Sequence, residues 1–290
     1  MLRQAEAALS WPQRRFFFVL ALPAFGISLA YTIVTAYVPV LLDDLSGPTT
    51  TGALIGAEGL IALIVPALIG GWSDRSTSRI GSRLPFILVG AALTSLSLIL
   101  MPLGDDSLTW VALCLVAFFI AYFVYYAPYY ALYPDLVPYE VRGRSQGFQG
   151  ALRSAGLLLA MGTGGLMLSA WQELPFVASA AVVLAVTLAL FSQLRGNSAL
   201  HGHQVATARG FAGTLEFVRG SVAVRRWAVA NACWEAAIGS LRTFVVLYFT
   251  AGLGLSLLET SAALALVGVG ALIARRWPVP SPTTTVRAPS

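Results

Sequence analysis

Charge is what this sequence has least of. Only 11% of its 290 residues are Asp, Glu, Lys or Arg, against about a quarter in a soluble globular domain, and a water-facing surface cannot be built from so few. Lysine is absent altogether, so all 18 basic residues are arginine. Cysteine and histidine number two each. Cys114 and Cys233 lie far apart inside apolar runs and read as small buried apolar residues, not as a disulfide or a metal pair. His201 and His203 sit in a polar stretch and read as a solvated pair. No Ser/His/Asp arrangement, phosphate-cradling loop or zinc-helix signature occurs, so neither enzyme chemistry nor a cofactor is expected. Alternation of the ~10-residue barrel type is missing as well, which leaves helices as the only element able to span a bilayer.

What is present is apolar sequence in long blocks. Hydrophobic residues make up 57% of the chain, in runs of roughly twenty, the length a helix needs to cross a hydrocarbon core. The runs predict spans at Phe16–Leu42, Thr51–Trp72, Pro85–Leu103, Thr109–Leu132, Ala151–Trp171, Leu174–Leu194, Trp227–Thr250 and a shorter Leu257–Ala274. The expectation is an all-α integral membrane protein. The first run is too long for a cleaved secretory signal and lacks a small-residue cleavage pattern.

Arginine placement predicts the orientation. With a cytoplasmic N-terminus, Arg75, Arg79, Arg83, Arg142, Arg144, Arg195, Arg225 and Arg226 all fall on the cytoplasmic side, whereas the opposite loops hold Asp43, Asp44, Asp105, Asp106 and Glu173 and no arginine. This obeys the positive-inside rule and predicts a multi-pass protein of the cell inner (plasma) membrane. The net charge of +5 then reports topology, not nucleic-acid binding.

The spans divide the chain unevenly. Residues 1–194 read as an N-terminal six-helix bundle and 195–226 as a cytoplasmic connecting loop, with a short interfacial helix around Phe211, Leu215 and Val218. Residues 227–274 read as two further helices and 275–290 as a disordered Pro/Thr-rich tail. Six helices followed by a basic connector is the layout of one half of a two-halved transporter, with substrate bound between the halves near the bilayer midplane.

Between the second and third spans runs GGWSDRSTSRIGSRLPF, from Gly70 to Phe86. Gly70 and Gly71 allow close helix approach, Asp74 can accept from the backbone N–H groups that open the third helix, and Pro85 suits its first turn. Arg75, Arg79 and Arg83 can pair with Asp135 and Glu140 of the neighbouring loop, or simply meet lipid phosphates. A second stretch, APYYALYPDLVP from Ala127 to Pro138, is followed by Arg142-Gly143-Arg144.

Together the two stretches resemble cytoplasmic loops of the major facilitator superfamily, in the form found in sucrose transporters and the glycoside-pentoside-hexuronide:cation symporters, over residues 16–274. That resemblance implies a major facilitator type bundle, here a complete six-helix N-terminal half plus about two helices of the C-terminal half. It also implies a gating loop of Gly71, Asp74, Arg75, Arg79, Gly81 and Arg83 with Asp135, Arg142 and Arg144, in which Asp74 and Arg75 hold the outward-facing state against a helix of the C-terminal half. Twelve helices are usual in the family, and the change of character after Ala274 suggests a truncated or frame-shifted reading frame, with the latch left without its partner. Tyr130 stands where plant sucrose transporters carry an arginine, which fits the wider symporter group better.

Candidate substrate contacts come from the fourth span. Tyr122, Tyr125, Tyr126, Tyr129, Tyr130 and Tyr133 recur at helical spacing on one side, a stripe suited to stacking on sugar faces or to packing between helices. Ionisable residues inside the spans are costly and usually functional: Glu58, Arg153, Glu235 and Arg242. Glu58 or Glu235 is the expected proton-coupling carboxylate and Arg242 the expected substrate contact, while Arg153, near the start of its span, is expected to snorkel to the interface. The predicted function is transport of a small solute, a sugar or glycoside coupled to protons or another cation. The alternatives are a drug or metabolite exporter of the same fold and a non-transporting membrane fragment.

Overall fold

The structure, a computed structural model, describes residues 10–76, 78, 80–104, 106–195 and 220–274. Among the described residues there are eight helices and no strand: α1 (Trp11–Asp43) and α2 (Thr49–Arg75), α3 (Leu84–Leu100), α4 (Leu108–Leu136), α5 (Arg142–Ala170), α6 (Leu174–Leu194), α7 (Val222–Leu247) and α8 (Leu257–Ala274). The first seven are long and apolar enough to cross a membrane, and the apolar part of α8, Leu257–Val267, is shorter. The expected interfacial helix, both histidines and the tail lie outside the described residues.

Several boundaries differ from the hydropathy reading; α1 starts at Trp11 and α4 runs on to Leu136. Helical hydrogen bonding runs on past Asp43, broken only at Gly47, whose φ of 77° and ψ of 172° kink the chain; a side chain would strain that conformation. Ser46 and Thr51 tie the kink to the carbonyls of Leu42 and Gly47. Helix α5 starts at Arg142, nine residues before its apolar run, because the polar turns Arg142–Gly150 are helical too. Helix α7 starts at Val222, where the Ser221 hydroxyl accepts from the Val224 N–H as an N-cap.

The centre of the bundle is α1. Its most apolar stretch is 72% buried, against 6% for α2 and 13% for α7. Lipid supplies no hydrophobic drive between helices, so close backbone approach and interhelical hydrogen bonds hold them together. The Leu20 carbonyl of α1 accepts from Tyr129 and Tyr133 of α4, and Tyr37 of α1 donates to the Met161 carbonyl of α5. Ser95 of α3 donates to the Ala180 carbonyl of α6 at 3.2 Å.

At the acidic-loop end, α8 closes onto α5 and α1. The Ser261 hydroxyl lies 3.1 Å from the Tyr37 hydroxyl and accepts from the Gly165 N–H at 2.9 Å. A side chain at Gly165 would collide with the Ser261 hydroxyl and the Leu257 carbonyl, and one at Gly162 would press on Ala265 at 3.2 Å. Helices α2 and α7 stand at the rim and expose Leu60, Ile64, Leu68 and Trp72, and Trp227, Trp234 and Leu241. Cys114 is buried as expected, but Cys233 is exposed, because most of the surface of α7 faces away from the bundle.

Candidate functional site

At the arginine-rich end, the α2–α3 loop and the end of α4 meet in one buried cluster. The turn closes through Gly81, which holds φ at 103° while its N–H donates to the Ser78 carbonyl. The chain then delivers Arg83, 7% exposed, between two carboxylates: its Nη2 lies 3.0 Å from Asp74 and its Nε 3.1 Å from Asp135. Arg142 caps the end of α4 by donating to the carbonyls of Pro134 and Val137.

This arrangement departs from the sequence expectation in four particulars. Asp74 pairs with a guanidinium instead of capping α3. Arg75 is exposed, and the buried cation is Arg83, whose planar fork engages two carboxylates at once. Glu140 is exposed in the short turn Tyr139–Val141. A side chain at Gly70 or Gly71 would meet open space, so the close approach expected of them is not made among the described residues. Arg144 is half-buried beside this cluster in sequence, and Arg79 lies outside the described residues.

Deeper in the bundle, α1, α2, α4 and α5 line a half-open cavity of about 210 Å³. Its polar wall is Ser28 and Tyr31 from α1, Glu58 from α2, Tyr122, Tyr126 and Tyr130 from α4, and Arg153 from α5. Tyr31 donates its hydroxyl proton to Glu58 and lies against Tyr122 at 4.9 Å between ring centroids. Tyr122, Tyr126 and Tyr130 form a column, with centroids 5.6 and 4.2 Å apart. A second cavity, of about 850 Å³, extends between α2, α5 and α7, bounded by Trp234, Ser240 and Phe244. Tyr31, Glu58 and Arg153 line both.

The tyrosine stripe is therefore two stripes. At about 100° per residue the six rings fan over roughly 140° of α4. One edge, Tyr122, Tyr126 and Tyr130, meets the cavity. The other, Tyr125, Tyr129 and Tyr133, is completely buried and hydrogen-bonded into neighbouring helices: Tyr125 to Thr187 of α6, Tyr129 and Tyr133 to Leu20 of α1. The expectation that Tyr125 and Tyr129 line a substrate path is thus corrected, since their hydroxyls hold the bundle together.

Glu235 and Arg242 lie on α7, and their side chains are outside what the structure describes. Arg153 differs from its expected place. It is eleven residues into α5, about 16 Å along the axis, and it faces the cavities, not the interface. Tyr31 was not singled out in the sequence, where a lone tyrosine in an apolar run carries no signal; only its contact with Glu58 marks it.

The chemistry available here is stacking and hydrogen bonding. Ring faces cover apolar C–H surface, phenol and serine hydroxyls both give and accept hydrogen bonds, and Arg153 gives only. Glu58 accepts from the Tyr31 hydroxyl at the edge of this wall.

A family model described as Major Facilitator Superfamily matches residues 20–281. The chain is 42% identical over 94 residues to the proton-associated sugar transporter A of Mus musculus, taking in 31% of this chain and 12% of that protein. It is 32% identical over 90 residues to the sucrose transport protein SUC3 of Arabidopsis thaliana, covering 28% and 13% respectively. These matches span only a small part of each relative. The solved structure of a bacterial homologue of the human lysosomal transporter Spinster, inward-facing and unoccupied, superposes with a TM-score of 0.69 at 19% identity over 91% of this chain and 61% of that one, a likeness of fold. Helices, loop motifs and the match across most of its length agree: the chain belongs to the major facilitator superfamily.

Proposed function

We propose that this membrane transporter moves a sugar or glycoside together with a proton. The observation that carries the reading is the shared wall of the two cavities, where the Glu58 carboxylate, the Arg153 guanidinium and the Tyr31 hydroxyl meet beside the Tyr122, Tyr126 and Tyr130 column of the smaller one. Tyr122, Tyr126 and Tyr130 stack on the sugar, Arg153 donates to its hydroxyl oxygens, and Glu58 binds the co-transported proton. The names of the partial relatives, a proton-associated sugar transporter and a sucrose transport protein, favour the same pairing. Arg242 and Glu235 remain candidates for the α7 side of the site.

In the same reading the Asp74–Arg83–Asp135 cluster fixes the arginine-rich end in one state of the alternating-access cycle, with Gly71, Arg75, Arg79, Gly81, Arg142 and Arg144 shaping the loops around it. The N-terminus lies in the cytoplasm and the protein in the plasma membrane, as the arginine bias supports.

Uptake of labelled sucrose and glucose into proteoliposomes, driven by an inward proton gradient, tests the reading. Arg153→Gln is expected to weaken uptake about tenfold or more, since a hydrogen bond to a charged group contributes about 1.5–3 kcal/mol, and Glu58→Gln to abolish the response to the gradient. Uptake of neither sugar by the unaltered protein, with extrusion of other solutes instead, would replace this reading with an exporter.

A further inference from the structure

We propose that Tyr31 is the element that couples proton binding to substrate binding, its single hydroxyl proton being directed at Glu58 when that carboxylate is ionised and at the substrate when Glu58 is protonated. The proposal rests on the reading of Glu58 as the proton-binding group and adds how the proton is felt at the sugar site.

The geometry narrows the choice to this residue. Tyr31 belongs to the wall of both cavities, donates to Glu58 and contacts the substrate-facing column through Tyr122. A phenol has one proton to give but can also accept. While Glu58 is ionised it can only accept, so Tyr31 donates to it and turns only acceptor capacity to the cavity. When a proton from solvent binds Glu58, the new carboxyl O–H donates to the Tyr31 oxygen. The Tyr31 O–H then rotates toward the cavity and donates to a sugar hydroxyl oxygen. No proton leaves Tyr31, and the only one gained is on Glu58.

The two binding events thereby favour each other, and the coupling must be reciprocal. Among the described residues, the other charged or titratable groups that line the cavities around Glu58 are Tyr122, Tyr126 and Tyr130 from α4 and Arg153 from α5; α7 also carries Glu235 and Arg242, whose side chains lie outside the described residues. The main chain of Tyr31 is held in its helix and also accepts from Thr35, so the ring has a fixed base while the hydroxyl rotates.

The test is sucrose binding to the purified protein in detergent, measured as the pH is lowered from alkaline to mildly acid. The unaltered protein is expected to bind more tightly as pH falls and to take up protons when sucrose is added to a weakly buffered solution. Tyr31→Phe keeps the ring and is expected to lose most of the pH dependence, binding roughly two- to tenfold more weakly at acid pH, the worth of one hydrogen bond. Glu58→Gln is expected to bind independently of pH. If Glu58→Gln loses the pH dependence but Tyr31→Phe keeps it in full, the role of Tyr31 is overturned and that of Glu58 stands. If Glu58→Gln keeps it, the reading of Glu58 falls first. Melting curves of both variants check the fold, and the proton uptake of the unaltered protein needs no variant: its absence on sucrose binding overturns the coupling.

Discussion

At the scale of single residues, like side chains on one loop or one helix have opposite roles in the fold. Arg83 is buried between two carboxylates, whereas Arg75, one residue after Asp74, is exposed. Removing one partner of a buried ionic cluster leaves charge uncompensated and costs about 3–5 kcal/mol, while an exposed arginine contributes about 0–1 kcal/mol. Arg83→Ala is therefore expected to lower the melting temperature in detergent strongly, Arg83→Lys to recover little of it because a point charge cannot replace the fork, and Arg75→Ala to leave it nearly unchanged. The tyrosines divide in the same way. Tyr129→Phe removes a buried bond to the Leu20 carbonyl and is expected to cost about 1 kcal/mol of stability without altering sugar affinity; Tyr126→Phe, on the cavity side, is expected to do the reverse. Melting curves and binding isotherms measured on the same two variants check this.

At the scale of helices, the seam between α5 and α8 depends on small residues. Gly165→Val would push a branched side chain into Ser261 and Leu257, and overpacking of this kind costs about 1–3 kcal/mol. The expected outcome is weaker docking of α8, read as faster proteolysis in the α7–α8 turn, whereas Gly147→Ala, with nothing within 4 Å of the added methyl group, is expected to be neutral or slightly stabilising.

The helices themselves were legible in the sequence because a bilayer admits so few structures: eight apolar runs became eight helices. The errors fell where polarity does not mark a helix end. The Arg142–Gly150 turns of α5 are polar yet helical, and Arg153, expected at the interface, lines the cavity wall. The stripe on α4 gave the right helix but not the right face, since spacing alone cannot say which edge of a 140° fan meets packed neighbours. Tyr31 could be found only from the structure, because what distinguishes it is a partner 27 residues away.

At the scale of the whole molecule, the account joins an interior site to a membrane-wide cycle. The cavity wall brings a carboxylate, a guanidinium and aromatic hydroxyls around one space, and it lies between the buried arginine cluster at one end and the Tyr37–Ser261–Gly165 closure at the other. For alternating access the two ends must loosen in turn. The most direct measurement of the central claim is the internal pH of proteoliposomes, followed with an entrapped dye after sucrose is added outside with no gradient imposed. The account predicts acidification of the lumen that requires sucrose and disappears in Glu58→Gln; sucrose entry with an unchanged internal pH would contradict it.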